Sequence, residues 1–265
     1  EQVAKFRAAR RLWARIVKED FGAKNPKAMM MKMIAGGGGG GLTIEQPENN
    51  IARGAYYALI SALSGTQTMA LCSYDEAYTI PSKKAALISL RTMQILMEEM
   101  GLCDTVDPLA GSYYVESLTN ELENKIRTCM KKVEDSGGIV KAISEGYIQS
   151  EVSKQAYLHE RKIQSGEEVK VGVNRYRIEE EERNIEFHEY DPTLAEEQIK
   201  RLNSVKAKRD KEAVTESLEK LKRAAASDEN LMPYIIDCVK SYATVGEITG
   251  VLKEVFGEFR EPVRF

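Results

Sequence analysis

The sequence predicts an α/β fold in which parallel strands are joined by crossover helices, followed by a helical tail. Three observations carry this. An apolar run, Met29-Met30-Met31-Lys32-Met33-Ile34, empties into six glycines, Gly36 to Gly41. A helical pattern and a second run, Thr68-Met69-Ala70-Leu71-Cys72, follow and end at Ser73-Tyr74-Asp75-Glu76-Ala77. Strand-like and helix-like segments then continue to alternate, the signature of parallel strands with helical crossovers. Parallel pairing would bring the glycines and the Asp75-Glu76 pair together at the carboxyl ends of neighbouring strands, where such folds bind ligands.

Taken in order, residues 2 to 21 place Val3, Phe6, Ala9, Leu12, Trp13, Ile16 and Val17 on one helix face. Arg7, Arg10, Arg11, Arg15 and Lys18 take the other side, as a solvated face or a phosphate-binding one. The chain starts already in register with this helix, so a preceding segment is expected, in the same chain or another. After Asn25-Pro26 the methionines read as adaptable core on a buried strand.

The glycine run loses more backbone entropy on folding than an ordinary turn requires. It therefore reads as backbone lying close to a ligand, with a flexible linker as the rival reading. No Lys-Ser/Thr pair follows it and no spaced glycines open directly into a helix, so neither nucleotide-binding motif is met. Residues 49 to 64 form a helix ending at Gly65. Asp75 and Glu76 are an acid-base pair, a ribose-hydroxyl contact or turn caps. Pro81-Ser82 opens a helix to Gly101.

Val106 to Glu116 combines turn residues with a β-prone stretch and is expected to be a third strand and its loop. Helices are expected at about 117 to 135 and 138 to 164. From Gly166 the pattern changes to an extended piece, Val169 to Asn174, then to the charge run Glu179 to Glu182, expected to be solvated. Residues 192 to 226, 231 to 243 and 246 to 256 are helical patterns. The expected division is a first domain, 1–165, bearing the site, and an extended linker with a helical appendage, 166–265.

At 265 residues and 43% hydrophobic content the chain can build a real core. A net charge of -3 offers no bulk attraction to nucleic acid or to an anionic membrane. No apolar run approaches the ~20 residues that span a bilayer, and a cytoplasmic location is expected. Cys72, Cys103, Cys129 and Cys238 form no CxxC pair, and His159 and His188 have no partner at metal-ligand spacing, so no metal site is expected.

Several segments resemble the methylmalonyl-CoA mutase family. They are Ala4 to Trp13, Leu42-Thr43 with Gln46-Pro47 and Asn49-Asn50, Gly65-Thr66-Gln67, Tyr74-Asp75-Glu76-Ala77, and Asp107-Pro108 with Gly111 to Tyr114. Gly137-Gly138, Gly146 to Gln149, Val171 to Asn174, Glu229 to Pro233 and Thr244 to Ile248 match as well. The resemblance implies the C-terminal part of a (β/α)8 TIM barrel, about strands six to eight with their helices, followed by a helical appendage. It also implies the large, substrate-binding subunit of an adenosylcobalamin-dependent acyl-CoA mutase. In that family homolysis of a cobalt-carbon bond starts a carbon-skeleton rearrangement inside the barrel.

By position, the resemblance puts Glu76 and Ala77 at the deoxyadenosyl group and Gly39 beside the corrin. The family's His-Thr-Gln-Thr motif falls on Ile34-Ala35-Gly36-Gly37, and a common glutamine is here Glu160. Gly36, Gly37, Gly38, Gly39, Glu76, Ala77 and Glu160 thus form the candidate cofactor-binding set. No catalytic residue is carried over, and no DxHxxG cobalamin signature is present. The chain alone is expected to be inactive. Its expected partners are an acyl-CoA substrate, a cobalamin-binding small subunit or domain, the N-terminal half of the barrel, and further copies in an oligomer. Loss of the polar motif is expected either to admit an acyl group bulkier than methylmalonyl or to mark a non-catalytic barrel remnant that docks a cobalamin-binding partner.

Overall fold

The computed structural model describes residues 1–36, 39–179 and 187–262. The chain divides into two compact units, Glu1–His188 and Glu189–Pro262.

In the first unit, helix α1 (Gln2–Glu19) buries Ala4, Ala8 and Leu12, spaced at four-residue steps on one face. A 3-10 turn (Pro26–Met29) leads to strand β1 (Ile34–Gly36). A second 3-10 turn (Gly39–Gly41) and helix α2 (Asn49–Leu63) connect it to β2 (Thr68–Ala70). The two strands are parallel, with Ile34 opposite Thr68, Ala35 opposite Met69 and Gly36 opposite Ala70. Helices α3 (Lys83–Glu98), α4 (Tyr113–Asp135), α5 (Ile139–Ser144) and α6 (Tyr147–Ser165) complete the unit. It is a mostly helical α/β arrangement with a small parallel sheet.

The molecule departs from several of the expectations above. Residues 106 to 116 form no strand among the described residues. Ser112 accepts from the Val115 N–H as an N-cap, and Glu116 reaches back to the Gly111 N–H at 3.0 Å. Capping at the start of the run therefore draws Tyr113-Tyr114-Val115 into α4, against their β preference.

The methionine run is not a buried strand. Asn25 caps Pro26–Met29 into a 3-10 turn, Met30 is exposed, and pairing begins only at Ile34, where β2 offers a partner.

The arginine face of α1 is neither bare surface nor a free anion site. It packs on α4, where Arg7 grips Asp107 at 3.0 and 3.1 Å and Glu116 at 2.8 Å, and buried Glu123 takes Arg11 and Arg15. Burial pushes the Glu123 carboxyl up, but the Arg11 hydrogen bond and the charges of Arg11, Arg15 and Arg127 outweigh it and hold the carboxyl below its usual range.

The segment after Gly166, grouped by sequence with the tail, packs on the first unit. Arg53 of α2 donates to the Val171 carbonyl at 2.8 Å, and Asn174 donates to the Ile163 carbonyl at 2.7 Å. The glutamate run beyond Glu179 lies outside the described residues. Residues 138 to 164 are two helices rather than one, broken at Gly146, whose φ of 76° is open to glycine.

The second unit holds helices α7 (Pro192–Lys208), α8 (Lys211–Ala225), α9 (Met232–Lys240) and α10 (Val245–Phe256). The helical region expected across 192 to 226 is two helices, because Asp210 turns extended and caps the Glu212 and Ala213 N–H groups. Leu221, Cys238 and Ile248 form its core. Thr244 and Glu247 form a reciprocal capping box, and Arg209 holds both oxygens of Glu247. That hydrogen bond from Arg209, working against burial, lowers the Glu247 carboxyl to about 2.

Candidate functional site

The parallel register sets the geometry of the site. Because β1 and β2 are parallel and in matched register, they end at the same level, β1 at Gly36 and β2 at Ala70. Gly37 and Gly38 lie outside the described residues; Gly39–Gly41 form the 3-10 turn. After β2, Leu71 and Cys72 lead into a tight turn in which the Glu76 N–H meets the Ser73 carbonyl at 3.1 Å.

Cys72 is where the two turns meet. A Cβ on Gly39 would lie 3.8 Å from its sulfur. Burial raises the thiol above its usual range; the charge of Glu76 and a hydrogen bond to its carboxylate raise it further, while the Gly39 backbone opposes them. Glu76 is exposed and its Oε1 accepts from the Ser73 N–H at 2.6 Å, so it caps the turn and keeps acceptor capacity outward. Ala77 beside it is half-buried. Asp75 is buried: one oxygen accepts from the Ser82 N–H at 2.8 Å, and the other has no partner among the described residues. Both acids of the pair therefore close turns, and only Glu76 also faces outward.

Asn50, 1% exposed at the start of α2, holds the two turns in place. Its amide nitrogen donates to the Thr43 and Tyr74 carbonyls, each at 2.8 Å, and its oxygen accepts from the Thr43 N–H at 3.1 Å and from Arg53 at 2.8 Å. The far end of the acidic turn is covered by the 187–188 segment. Phe187 meets Tyr78 edge-on, with ring centres 6.5 Å apart, and the His188 N–H donates to the Thr79 hydroxyl at 3.1 Å.

The glycines differ in what surrounds them. None of Gly36, Gly39, Gly40 and Gly41 has a positive φ, so backbone strain does not require glycine. A Cβ on Gly36 or Gly40 would meet nothing within 4 Å, whereas one on Gly41 would collide with the Tyr57 hydroxyl and lie 3.0 Å from its Cζ. Gly40, Gly41 and Tyr57 line a cleft of about 490 Å³ together with Arg53, His159 and Lys170.

Glu160 stands apart from this group. It is exposed on α6 and accepts from Gln164 at 3.1 Å, while its neighbour His159 faces the cleft and pairs with Glu168 at 3.2 Å. Among the described residues no group of three or more His, Cys, Asp or Glu could hold a metal ion, and no helix is long and apolar enough to cross a membrane.

Sequence reasoning about the site missed Tyr57 and Cys72, and took Asn50 only as part of a motif. Asn50 had a local signal, its place at the first turn of a helix that follows a polar loop. Tyr57 and Cys72 had none, because each acts across a gap between segments.

The family model for methylmalonyl-CoA mutase matches residues 1–258. The chain is 44% identical over 263 residues to the 2-hydroxyisobutanoyl-CoA mutase large subunit of Aquincola tertiaricarbonis, covering 98% of this chain and 47% of that protein. It is 40% identical over 264 residues to the methylmalonyl-CoA mutase of Cereibacter sphaeroides, covering 99% of this chain and 37% of that protein. With the methylmalonyl-CoA mutase large subunit of Porphyromonas gingivalis the identity is 38% over 265 residues, covering 99% and 37%. The chain thus spans less than half the length of these relatives. With the matched turns in place and the family model running from the first residue to the end of the last helix, the chain belongs to the methylmalonyl-CoA mutase family.

Proposed function

We propose that this chain is part of the substrate-binding subunit of an adenosylcobalamin-dependent acyl-CoA mutase, an isomerase that rearranges a carbon skeleton. The observation that carries the reading is the family match over residues 1–258, joined to a site in which glycine backbone and an outward carboxylate stand side by side. In this reading β1 and β2 are late strands of a (β/α)8 barrel and the third expected strand has no counterpart among the described residues. The first unit carries the barrel portion and the second unit an appendage. The rest of the barrel, a cobalamin-binding subunit or domain and an oligomeric assembly complete the enzyme. The four free cysteines agree with a cytoplasmic setting.

The residues present fit a large flat cofactor. Open space in front of Gly36 and Gly40 lets backbone lie against it, and Glu76 can accept hydroxyls of its adenosine moiety. When bound, adenosylcobalamin supplies the radical chemistry, and this chain binds, orients and shields. Asn50 and Cys72 keep the two turns in mutual register. Glu76 accepts, Gly36 and Gly39 bring no side chain to the site, and Gly37 and Gly38 join the set by family resemblance. Glu160 stands in the set by family resemblance alone, as an exposed carboxylate on α6. The room left by the absent side chains suits an acyl group bulkier than methylmalonyl.

The test is turnover and cobalamin binding by the complete subunit mixed with its cobalamin-carrying partner, across methylmalonyl-CoA, 2-hydroxyisobutanoyl-CoA and longer branched acyl-CoAs. Preference for a bulkier acyl group is expected. Best turnover of methylmalonyl-CoA would refute the widened pocket, and absence of cobalamin binding would refute the enzyme reading.

A further inference from the structure

Tyr57 lines the cleft beside the glycine turn without joining the hydrogen bonds that hold the two turns together. It lies two turns into α2, half-buried, and its hydroxyl occupies the place that the first side-chain carbon of any other residue at position 41 would take. Among the described residues no hydrogen-bond partner meets that hydroxyl, although it lines the same cleft as Gly40 and Gly41. The turn itself has no polar side chain to offer: positions 36 and 39–41 are all glycine, and 36 and 40 face open space. The Cys72 thiol stands against the turn at Gly39, and the phenol stands against it at Gly41, whose missing Cβ lets it lie there.

We infer that Tyr57 is a cofactor-binding and specificity-determining residue: its hydroxyl replaces, from the neighbouring helix, the polar side chains that the glycine turn lacks, and donates a hydrogen bond to a neutral amide oxygen of the kind that rims a corrin. The inference rests on the functional reading above, since it takes the ligand over the turn to be a cobalamin. An amide oxygen suits the geometry because the phenol is an uncharged donor on a rigid ring, held by packing against backbone, and ring and hydroxyl lose little freedom on binding.

Two variants in the complete enzyme test it. Tyr57→Phe keeps the ring against Gly41 and removes only the hydroxyl. Spectrophotometric titration of the assembled enzyme with adenosylcobalamin should show affinity weakened by about 3- to 10-fold, the range of one neutral hydrogen bond. The KM for acyl-CoA and the melting temperature should stay at wild-type values. Gly41→Ala, which displaces the ring, should weaken cobalamin at least as much.

Unchanged cobalamin affinity in Tyr57→Phe would overturn the proposal and leave the ring as a filler of space. A rise in the KM for acyl-CoA with cobalamin affinity unchanged would overturn it too, by assigning the hydroxyl to the substrate. Failure of the wild-type enzyme to bind cobalamin would instead overturn the functional reading, and this inference with it, before any variant is compared.

Discussion

The Asn50 side chain donates to the Tyr74 carbonyl at 2.8 Å, tying the first turn of α2 to the acidic turn after β2. With its bonds to Thr43 it satisfies backbone groups from both segments at once. Asn50→Ala should leave these buried groups unpaired and cost about 2–4 kcal/mol, the sum of one or two unmet buried polar groups. Asn50→Asp keeps the acceptor, loses both donors and should be nearly as damaging. Denaturant unfolding checks this: a midpoint within experimental error of wild type for both variants would show that the contact does not hold the turns.

Gly40 and Gly41 should respond oppositely to the same change. Gly40→Ala meets open space at an ordinary φ and should be neutral or stabilise by about 0.4–1 kcal/mol through the unfolded chain. Gly41→Ala must move Tyr57 and should destabilise by about 1–3 kcal/mol. The double variant Gly41→Ala with Tyr57→Ala should cost less than the two single changes added together. Strict additivity in thermal melts would contradict the collision.

The Cys72 thiol should react late on a pH scale. Burial raises it first, and the Glu76 charge raises it further. Glu76→Gln removes the charge but not the burial, so alkylation of Cys72 should begin at lower pH than in wild type, though still above that of an exposed thiol. Peptide-resolved mass spectrometry separates Cys72 from exposed Cys103 and Cys129. A profile unmoved by Glu76→Gln would disconnect the two side chains.

Glu247 should make the second unit sensitive to acid. Its folded carboxyl is lowered to about 2, so the stability it adds is fully present above the ordinary carboxylate range and is lost as pH falls through about 2. Glu247→Gln should cost about 2 kcal/mol near neutral pH, the order of a hydrogen bond to a charged group. The gap to wild type should close toward pH 2. Melting curves from pH 7 to pH 2 test it, and a gap constant over that range would assign the loss to the cap alone.

The sequence by itself determined the parallel pairing of the two short strands, most helix positions and the adjacency of the glycine and acidic turns. These follow from hydrophobic period, turn residues and the handed connection of parallel strands, all of which are local. Only the tertiary structure decided which features were surface and which were joints. The arginines of α1 meet acids about 100 residues away, on α4 and its approach, and no spacing rule connects those positions. The expected strand at 106 to 116 became a loop and helix because Ser112 and Glu116 satisfied its backbone first. The glycine run shows the division within one stretch. Its composition marked it as costly, but which glycine faces open space and which is held by a tyrosine depends on packing between α2 and the turn.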